Sequence, residues 1–229
     1  MPPALEIVGM SSYSEAEKET VYRVISERRD MRHFTHEAVD PEILKKLIYA
    51  AQLAPSVGFM QPWRFIRITD STIRDQIYDL AQAEIKLTGE QLKEKKTIYA
   101  TLKLEGIKDC AEVWVAALME GRDKYILGRR TMPEMDLASL SCAIQNIWLA
   151  ARAEGIGMGW VSFFKPDDLA SLLSMPADSY PAAVLCIGHV KEFYSKPLLE
   201  QAEWDSRRAI DEILYENTWG NACSIINDP

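Results

Sequence analysis

Residues 145–164 read QNIWLAARAEGIGMGWVSFF, and this stretch leads from a helix through a glycine-rich turn into an extended segment. The helix is predicted over residues 136–153, because its apolar side chains are spaced for burial on more than one side. Gly155, Gly157 and Gly159 allow the backbone to approach a flat ligand closely. These glycines follow a helix and do not form GxGxxG, so the dinucleotide-binding interpretation fails. The sequence also lacks GxSxG, which leaves a nucleophile elbow unsupported.

The segments around this stretch alternate between strands and helices. Apolar patterns predict strands at residues 63–69, 112–118 and 181–187, the last of them a central strand buried on both faces. Caps, prolines and apolar spacing predict helices over residues 15–28, from Asp40-Pro41 to just before Pro55, from Pro166 and over residues 206–216. We therefore expect one domain over residues 1–229 with an α/β (α+β) fold, in which helices flank a central mixed sheet.

Two helical regions carry finer predictions. The helix over residues 15–28 follows a capping Ser14 and is expected to place its apolar side chains on one face, with residues 1–13 as a loose arm before it. Residues 72–105 are helical in composition and rich in charge, with an interruption at Gly89. They fit either a solvated helical pair or a lid over a ligand.

Composition excludes several classes of function. The net charge of −8 and the pI of about 5.0 argue against a surface that binds duplex nucleic acid. The start of the chain has no signal-peptide pattern and no apolar run is long enough for a membrane span, so we expect a soluble, cytoplasmic protein. The histidines lack zinc-site spacing, and no metal is expected. Cys142 and Cys186 lie in apolar runs and are expected to be buried, reduced thiols.

Residues 27–32, ERRDMR, place three arginines within five positions at the end of a predicted helix. The guanidinium group presents a planar fork of donors that suits phosphate oxygens. The cluster therefore predicts a phosphate or carboxylate site, although a solvated charged face with local ion pairs is the plainer interpretation. Asp30 lies among these cations and is expected to stay ionised, because nearby positive charge favours the carboxylate. It would then be able to accept a proton at neutral pH.

Residues 54–63, APSVGFMQPW, connect a helix to a strand through two prolines and one glycine. Such a loop can present backbone N–H groups, the Ser56 hydroxyl and the Gln61 amide to a ligand. The alternative is a stiff connector in which Trp63 packs. Neither this loop nor the arginine cluster decides a function by itself.

Together the three segments resemble the nitroreductase-like flavoproteins, whose FMN framework combines an RRxxR segment, a PSxxxxQPW-like loop and a glycine-rich turn. The resemblance covers residues 16–220 or nearly so. Within it, ERRDMR, APSVGFMQPW, LKLEGI, GRRTMPEMD, QNIWLAARAEGIGMGWVSFF and the terminal WG look like the 5,6-dimethylbenzimidazole synthase family (BluB-type). Ordinary nitroreductases usually have serine where this chain has Asp30. The Glu-Tyr-Lys substrate clamp of the related iodotyrosine deiodinases is not found in residues 85–105.

This resemblance implies that reduced FMN is a co-substrate with O2 and that it is cleaved to 5,6-dimethylbenzimidazole, the lower ligand of vitamin B12, and erythrose 4-phosphate. It implies catalytic roles for Asp30 and Ser162. It also implies FMN contacts from Arg28, Arg29, Asp30, Met31, Arg32, Ser56, Val57, Gly58, Gln61, Leu104, Ser162 and Arg207.

The same resemblance implies a homodimer, with a lid over approximately residues 72–107 and a C-terminal embracing segment over approximately residues 190–229. Within the lid, residues 85–107 would cover the ligand and keep water from the reaction. A closed lid would leave little room for a nicotinamide, so a separate flavin reductase is expected to supply reduced FMN. The alternatives are an NAD(P)H-dependent nitroreductase or flavin reductase and a non-catalytic flavin-binding protein.

Overall fold

The computed structural model describes residues 12–226. The arm predicted for residues 1–13 therefore lies almost entirely outside the described residues. The helices are α1 (Glu15–Glu27), α2 (Pro41–Gln52), α3 (Ser71–Gln91), α4 (Lys96–Thr101), α5 (Met135–Ala153), α6 (Pro166–Leu172) and α7 (Leu198–Gln201). The strands are β1 (Trp63–Ile68), β2 (Glu112–Leu118), β3 (Gly157–Val161) and β4 (Tyr180–Gly188). Short 3-10 turns occupy Val57–Phe59, Arg122–Lys124, Ile210–Glu212 and Ser224–Ile226.

The strands form one four-stranded sheet in the order β1-β2-β4-β3. Within residues 12–226 every strand pair of this sheet is antiparallel, so the prediction of a mixed sheet is wrong. The only parallel pairing in that range is an isolated bridge between Asp30 and Met158. Alternating strands and helices do not fix strand direction, and the continuous apolar run of β4 is typical of parallel sheets only because their faces are usually both covered.

Here both faces of the antiparallel sheet are covered. On one face Ala183, Leu185 and Ile187 of β4 pack into a core with α2 and α5, and on the other Val184 and Cys186 pack into a core with α3 and α6. The helix α5 is the centre of the first core because it buries apolar residues on several sides, as predicted. Truncating such a fully buried residue to Ala typically lowers the free energy of unfolding by about 2–5 kcal/mol. The helix α5 is therefore a rigid support for the segments that pack against it.

Several local predictions are confirmed. Ser14 caps α1 in a capping box with Glu17, and Asp40 caps α2 with Pro41 in the first turn. The apolar face of α1, however, is not covered within the described part of the chain, where Val21 is 57% exposed. A helix that leaves its apolar face in solvent is usually part of an interface.

Other predictions are wrong for reasons of tertiary packing. Gly89 does not interrupt α3, because the ring of Tyr99 from α4 packs where its side chain would be. Residues 206–216 form only the turn Ile210–Glu212, because a short helix is marginal in water without a surface to pack on. Cys186 is buried as expected, but Cys142 is exposed on α5.

None of the described helices is long and apolar enough to cross a membrane. Among residues 12–226 there is also no group of His, Cys, Asp and Glu side chains arranged to hold a metal ion.

Candidate active site

A cationic cavity of about 270 Å³ opens where the end of α1 meets the C-terminal part of the chain. Its lining combines charged groups from two segments with an apolar rim. The lining residues are Arg28, Arg29, Asp30, Arg32, Lys103, Leu104, Phe163, Pro197, Leu198 and Leu199. The structure therefore brings the arginine segment and the predicted lid residue Leu104 together.

The arginine segment is held against β3. The backbone N–H of Met31 donates to the Met158 carbonyl at 2.9 Å, and the Met31 side chain is fully buried behind the cavity. Gly159 of β3 makes this close approach possible, because a Cβ at that position would lie 2.3 Å from the Met31 carbonyl oxygen. The close packing of the Met31 backbone therefore explains why the sequence has glycine at position 159.

Asp30 and Arg32 form a partly buried ion pair at the cavity. Arg32 Nη2 donates to Asp30 Oδ2 and also to the Trp160 carbonyl at 2.8 Å, while the Trp160 backbone N–H donates to Asp30 Oδ1 at 2.9 Å. The Arg32 side chain is only 9% exposed, whereas that of Asp30 keeps 42% exposure towards the cavity. Both groups are therefore fixed by β3, and the carboxylate faces the space where a ligand fits.

Burial raises the pKa of Asp30 above its ordinary value, against the opposing effects of Arg32, the Trp160 N–H and Arg28. Loss of solvent around the carboxylate thus acts against the neighbouring cations, which favour the ionised form. A bound ligand would remove more of the remaining solvent and raise this pKa further. The arrangement favours a carboxyl group that can take and hold a proton.

Two guanidinium nitrogens of the arginine segment are buried without a partner in the range that the structure describes. In the described part of the chain, neither Arg29 Nε nor Arg32 Nη1 has a hydrogen-bond partner. A buried donor without a partner is costly, so such atoms commonly mark a ligand site. The rest of the Arg29 head is engaged with the carbonyls of Ser26, Arg28 and Ser195.

Arg28 is a further cation of the cavity, and its surroundings lower its pKa. Burial lowers its pKa most, Asp30 opposes that effect, and the charges of Arg29 and Arg207 lower the pKa further. Arg207 itself is exposed and does not line the cavity, but its charge reaches Arg28. The cavity therefore concentrates positive charge that an anion would neutralise.

Ser162 follows β3 directly and is exposed, beside Phe163 of the cavity lining. Across the opening, the rim formed by Leu104 is connected to the rim formed by α7. Lys95 donates to the Trp204 carbonyl and lies 4.7 Å from the centre of the Trp204 ring, and Tyr99 packs 6.2 Å from the same ring. The two rims, distant in sequence, are thus joined by one cluster, Lys95–Tyr99–Trp204.

The residues of the 54–63 loop that were predicted to contact FMN lie away from this cavity within one chain. The Val57 N–H donates to Ser139 Oγ at 3.0 Å, near the start of α5, whereas the arginine segment contacts Trp148 further along the same helix. Nine residues of helix correspond to about 13 Å and about two and a half turns, so these contacts lie on opposite sides of α5. Ser56, Val57, Gly58 and Gln61 are accordingly not among the residues that line this cavity.

The loop is nevertheless held in a defined shape. Phe59 and Gln61 have positive φ angles of 53° and 51°, and the Gln61 N–H donates to Ser56 Oγ at 3.0 Å. Such backbone conformations persist where surrounding contacts fix them, often at functional sites. Phe59 is 81% exposed and Leu127, which packs on Gly58, is 78% exposed. The loop therefore presents an apolar surface that its own chain does not cover.

The sequence reasoning missed the residues that support the arginine segment and close the cavity: Trp148, Trp160, Lys103 and residues 197–199. Trp148 was assigned only to the apolar face of α5, although its position just before the glycine turn is a usable signal. Residues 197–199 lack a motif and reach the cavity only through tertiary structure.

Comparison with known proteins gives consistent results along most of the chain. The model of the Nitroreductase family matches residues 25–189. A Rhodospirillum rubrum protein named 5,6-dimethylbenzimidazole synthase is 41% identical over 183 residues, which cover 79% of this chain and 87% of that protein. A Rhodobacter capsulatus protein of the same name is 37% identical over 198 residues, with coverage of 84% and 94%.

Among solved structures, oxidised iodotyrosine deiodinase bound to FMN and 3-iodo-L-tyrosine superposes with a TM-score of 0.70 at 19% identity. The match covers 87% of this chain and all of that chain, 100%. At this identity the likeness concerns the fold alone.

Proposed function

The chain belongs to the nitroreductase family and, within it, to the group whose members are named 5,6-dimethylbenzimidazole synthases, and from this premise we propose that it converts reduced FMN and O2 into 5,6-dimethylbenzimidazole and erythrose 4-phosphate. The family membership predicted from the sequence is confirmed. The reaction is our proposal, and FMN is a substrate in it that is consumed.

The position of Asp30 is the observation that carries this proposal. A carboxyl group stands in the cationic cavity, held by the Trp160 N–H and by Arg32, at the position where the resemblance gives ordinary nitroreductases a serine. Hydride exchange with a recycled flavin needs no such group. A reaction that breaks carbon–carbon and carbon–nitrogen bonds does need an acceptor for the protons released, and proton transfer by a positioned side chain contributes about 10²–10⁴ in rate.

The cavity residues fit a flavin phosphate. Arg28 offers a cation, and Arg32 Nη1 and Arg29 Nε are buried donors that lack partners among the described residues. We assign the phosphate and ribityl tail to Arg28, Arg29 and Arg32, with Arg207 adding charge nearby. Reduced FMN supplies the electrons that reduce O2. Its dimethylbenzene ring and ribityl carbons supply the two named products, and the pyrimidine part of the ring system leaves as a third, oxidised fragment.

Asp30 takes the role of proton acceptor next to the ribityl chain, or orients the group that accepts. Its raised pKa suits this role, because a proton once taken is held more readily than by an exposed carboxylate. Ser162, exposed at the end of β3 beside Phe163, donates a hydrogen bond near the reactive edge of the flavin. Leu104 covers the ligand from the lid side.

A second copy of the chain completes the site in this proposal. The cavity of about 270 Å³ is slightly smaller than the range of about 300–1,000 Å³ that is typical of ligand pockets. The loop with Ser56, Val57, Gly58 and Gln61 faces away from it on the other side of α5. In a two-fold dimer each copy can give its loop to the cavity of the other. The exposed apolar residues of α1 and of the loop supply the interface.

The lid works through the Lys95–Tyr99–Trp204 cluster. Because this cluster joins the Leu104 rim to the α7 rim, both rims open and close together and exclude water while the flavin reacts. A cavity closed in this way leaves little room for a nicotinamide. A separate flavin reductase therefore supplies reduced FMN.

The experiment that tests the proposal uses the full chain with FMN, a chemical reductant and air. Flavin absorbance is followed and the products are separated by chromatography. Permanent loss of flavin with formation of the benzimidazole is the expected result. Consumption of NAD(P)H with intact FMN would instead identify a reductase, and bound FMN that survives would identify a flavin-binding protein; either result rejects the synthase. Asp167→Asn, on exposed α6 and outside the cavity, serves as a control variant.

A further inference from the structure

We propose that Trp148 is a positioning residue that fixes Arg28 in the cavity and thereby makes binding selective for a flavin that carries a phosphate. The inference rests on the proposed function, since it names the residue that sets the phosphate contact of the same site. Trp148 does not line the cavity and has no contact with the ligand space. It acts through Arg28.

The indole ring is a shelf for the Arg28 guanidinium. Arg28 Cζ lies 4.5 Å from the centre of the Trp148 ring. The positive charges of Arg29 and Arg207 repel the Arg28 guanidinium, and the negative charge of Asp30 attracts it. Without the contact with Trp148, this repulsion would favour movement of the guanidinium out of its position. Trp is the strongest aromatic partner for a cation, and the contact is worth about 0.5–2 kcal/mol. The stacked guanidinium keeps its donor edge free for an oxyanion.

The indole nitrogen fixes the backbone of the same segment. Trp148 Nε1 donates to the Arg29 carbonyl and to the Met158 carbonyl, each at 3.1 Å. Since Arg29 belongs to the arginine segment and Met158 to β3, one N–H holds the two together. Trp148 therefore sets both the path of the backbone at residues 28–30 and the direction of the Arg28 side chain.

The position of Trp148 at the edge of the core separates its contact with Arg28 from the packing that stabilises α5. Its neighbour Ile147 and the nearby Ile144 are fully buried in the core on α5, whereas Trp148 is only partly buried and packs at the edge of that core. The residues that stabilise α5 are thus different from the one that contacts Arg28. A change at Trp148 is expected to alter the arginine segment while the helix remains in place.

The test compares the affinity of the protein for FMN and for riboflavin, which lacks the phosphate, in wild type and three variants. Trp148→Leu removes the ring and the N–H, whereas Trp148→Phe keeps a ring. In Trp148→Leu, a loss of about 0.5–2 kcal/mol of binding free energy corresponds to FMN binding that is about 2- to 30-fold weaker. Riboflavin binding should change by less than about twofold. Trp148→Phe should recover most of the FMN affinity. Phe193→Leu is the matched control, because it removes a similar stack on Arg152, 4.2 Å from the ring, outside this cavity.

A double-mutant cycle with Arg28→Met separates positioning from general packing. In the Arg28→Met background, Trp148→Leu should cause a smaller loss of FMN affinity than in wild type, because the cation on its ring is gone and only the backbone contacts of Nε1 remain to be lost. Equal losses of FMN and riboflavin, or an undiminished effect in the Arg28→Met background, would overturn the inference. If Trp148→Leu fails to fold, Trp148→Met takes its place in the same comparison, because its flexible side chain adapts to a gap and has no aromatic face. A wild-type protein that binds FMN no better than riboflavin would reject the proposed phosphate site itself, a result that needs no Trp148 variant.

Discussion

Asp30→Asn removes the charge of the cavity carboxylate and leaves its shape almost unchanged. The asparagine Oδ1 can still accept the Trp160 N–H at 2.9 Å, so the backbone contact with β3 survives. What is lost is the ability to accept a proton, together with the ion pair to Arg32, because the asparagine Nδ2 donates and cannot accept from Arg32 Nη2. General acid–base catalysis contributes about 10²–10⁴ in rate, so we expect product formation in a single turnover to fall by at least about 10²-fold.

Binding should respond in the opposite direction. The substitution removes one negative charge from a cavity that also contains Arg28, Arg29 and Arg32, so FMN should bind as tightly as to wild type or more tightly. Quenching of flavin fluorescence measures binding, and rapid-quench chromatography measures the product. Asp167→Asn should change neither quantity. Product formation at the wild-type rate in Asp30→Asn would refute the role of Asp30.

The same variant has a predicted effect on stability with a definite sign. Because burial raises the pKa of Asp30 above its ordinary value of 3.8, folding disfavours the charged carboxylate. Wild type and Asp30→Asn should therefore be most similar in stability below pH 3.8, where Asp30 is protonated in both the folded and the unfolded chain. As the pH rises through the raised pKa, wild type should lose stability relative to Asp30→Asn, and above it the difference should stay constant. Thermal unfolding against pH measures this, and a wild type that gains on the variant as pH rises contradicts the burial argument.

Three further experiments test the rest of the site. Arg32→Ala removes a charge-assisted donor worth about 1.5–3 kcal/mol, so FMN affinity should fall by about 10- to 150-fold and riboflavin affinity should fall much less. Titration of the variant with both flavins measures this. Equal losses of affinity for the two flavins would remove Arg32 from the phosphate site. Trp204→Ala opens the Lys95–Tyr99–Trp204 cluster and should speed FMN release by about 2- to 30-fold, as measured by stopped-flow displacement. The rate of release from Trp204→Phe should stay near that of wild type. An unchanged rate of release from Trp204→Ala would contradict the proposed lid. Arg28→Met and Ser56→Ala copies, each weakly active alone, should recover activity when unfolded together and refolded, because about a quarter of the sites then combine an intact cavity with an intact loop. Recovery that is absent in such mixtures would show that the loop does not serve a second copy.

The elements that follow from local chemistry were predictable from the sequence. The capping box of α1, the Asp40-Pro41 start of α2, the strand β2 and the core helix α5 all depend on residues close together in the chain. The end of α1 at the arginine segment belongs to the same category, whereas the cavity that this segment shares with Leu104 joins residues far apart in the chain. The helix ends, the strand and the core helix needed no knowledge of the tertiary structure.

The features that depend on distant contacts were not predictable. Gly89 is a helix breaker by local propensity, but the Tyr99 ring packs against it and α3 continues. The pKa of Asp30 follows burial, which its charged neighbours in sequence do not reveal. The resemblance gave the 54–63 loop and the arginine segment contacts with the same FMN, and the separation of the two by α5 within one chain depends on the tertiary structure. The contacts of Trp148 with Arg28 and with β3 likewise depend on the tertiary structure.

A single turnover without added reductant tests most directly whether FMN is consumed. The protein is loaded anaerobically with FMN that has been reduced beforehand, mixed with O2, and quenched for quantitative chromatography. We predict that the FMN lost equals the 5,6-dimethylbenzimidazole formed, with erythrose 4-phosphate in the same amount. Full recovery of oxidised FMN without any benzimidazole would contradict the account, because the flavin would then be a cofactor that is recycled.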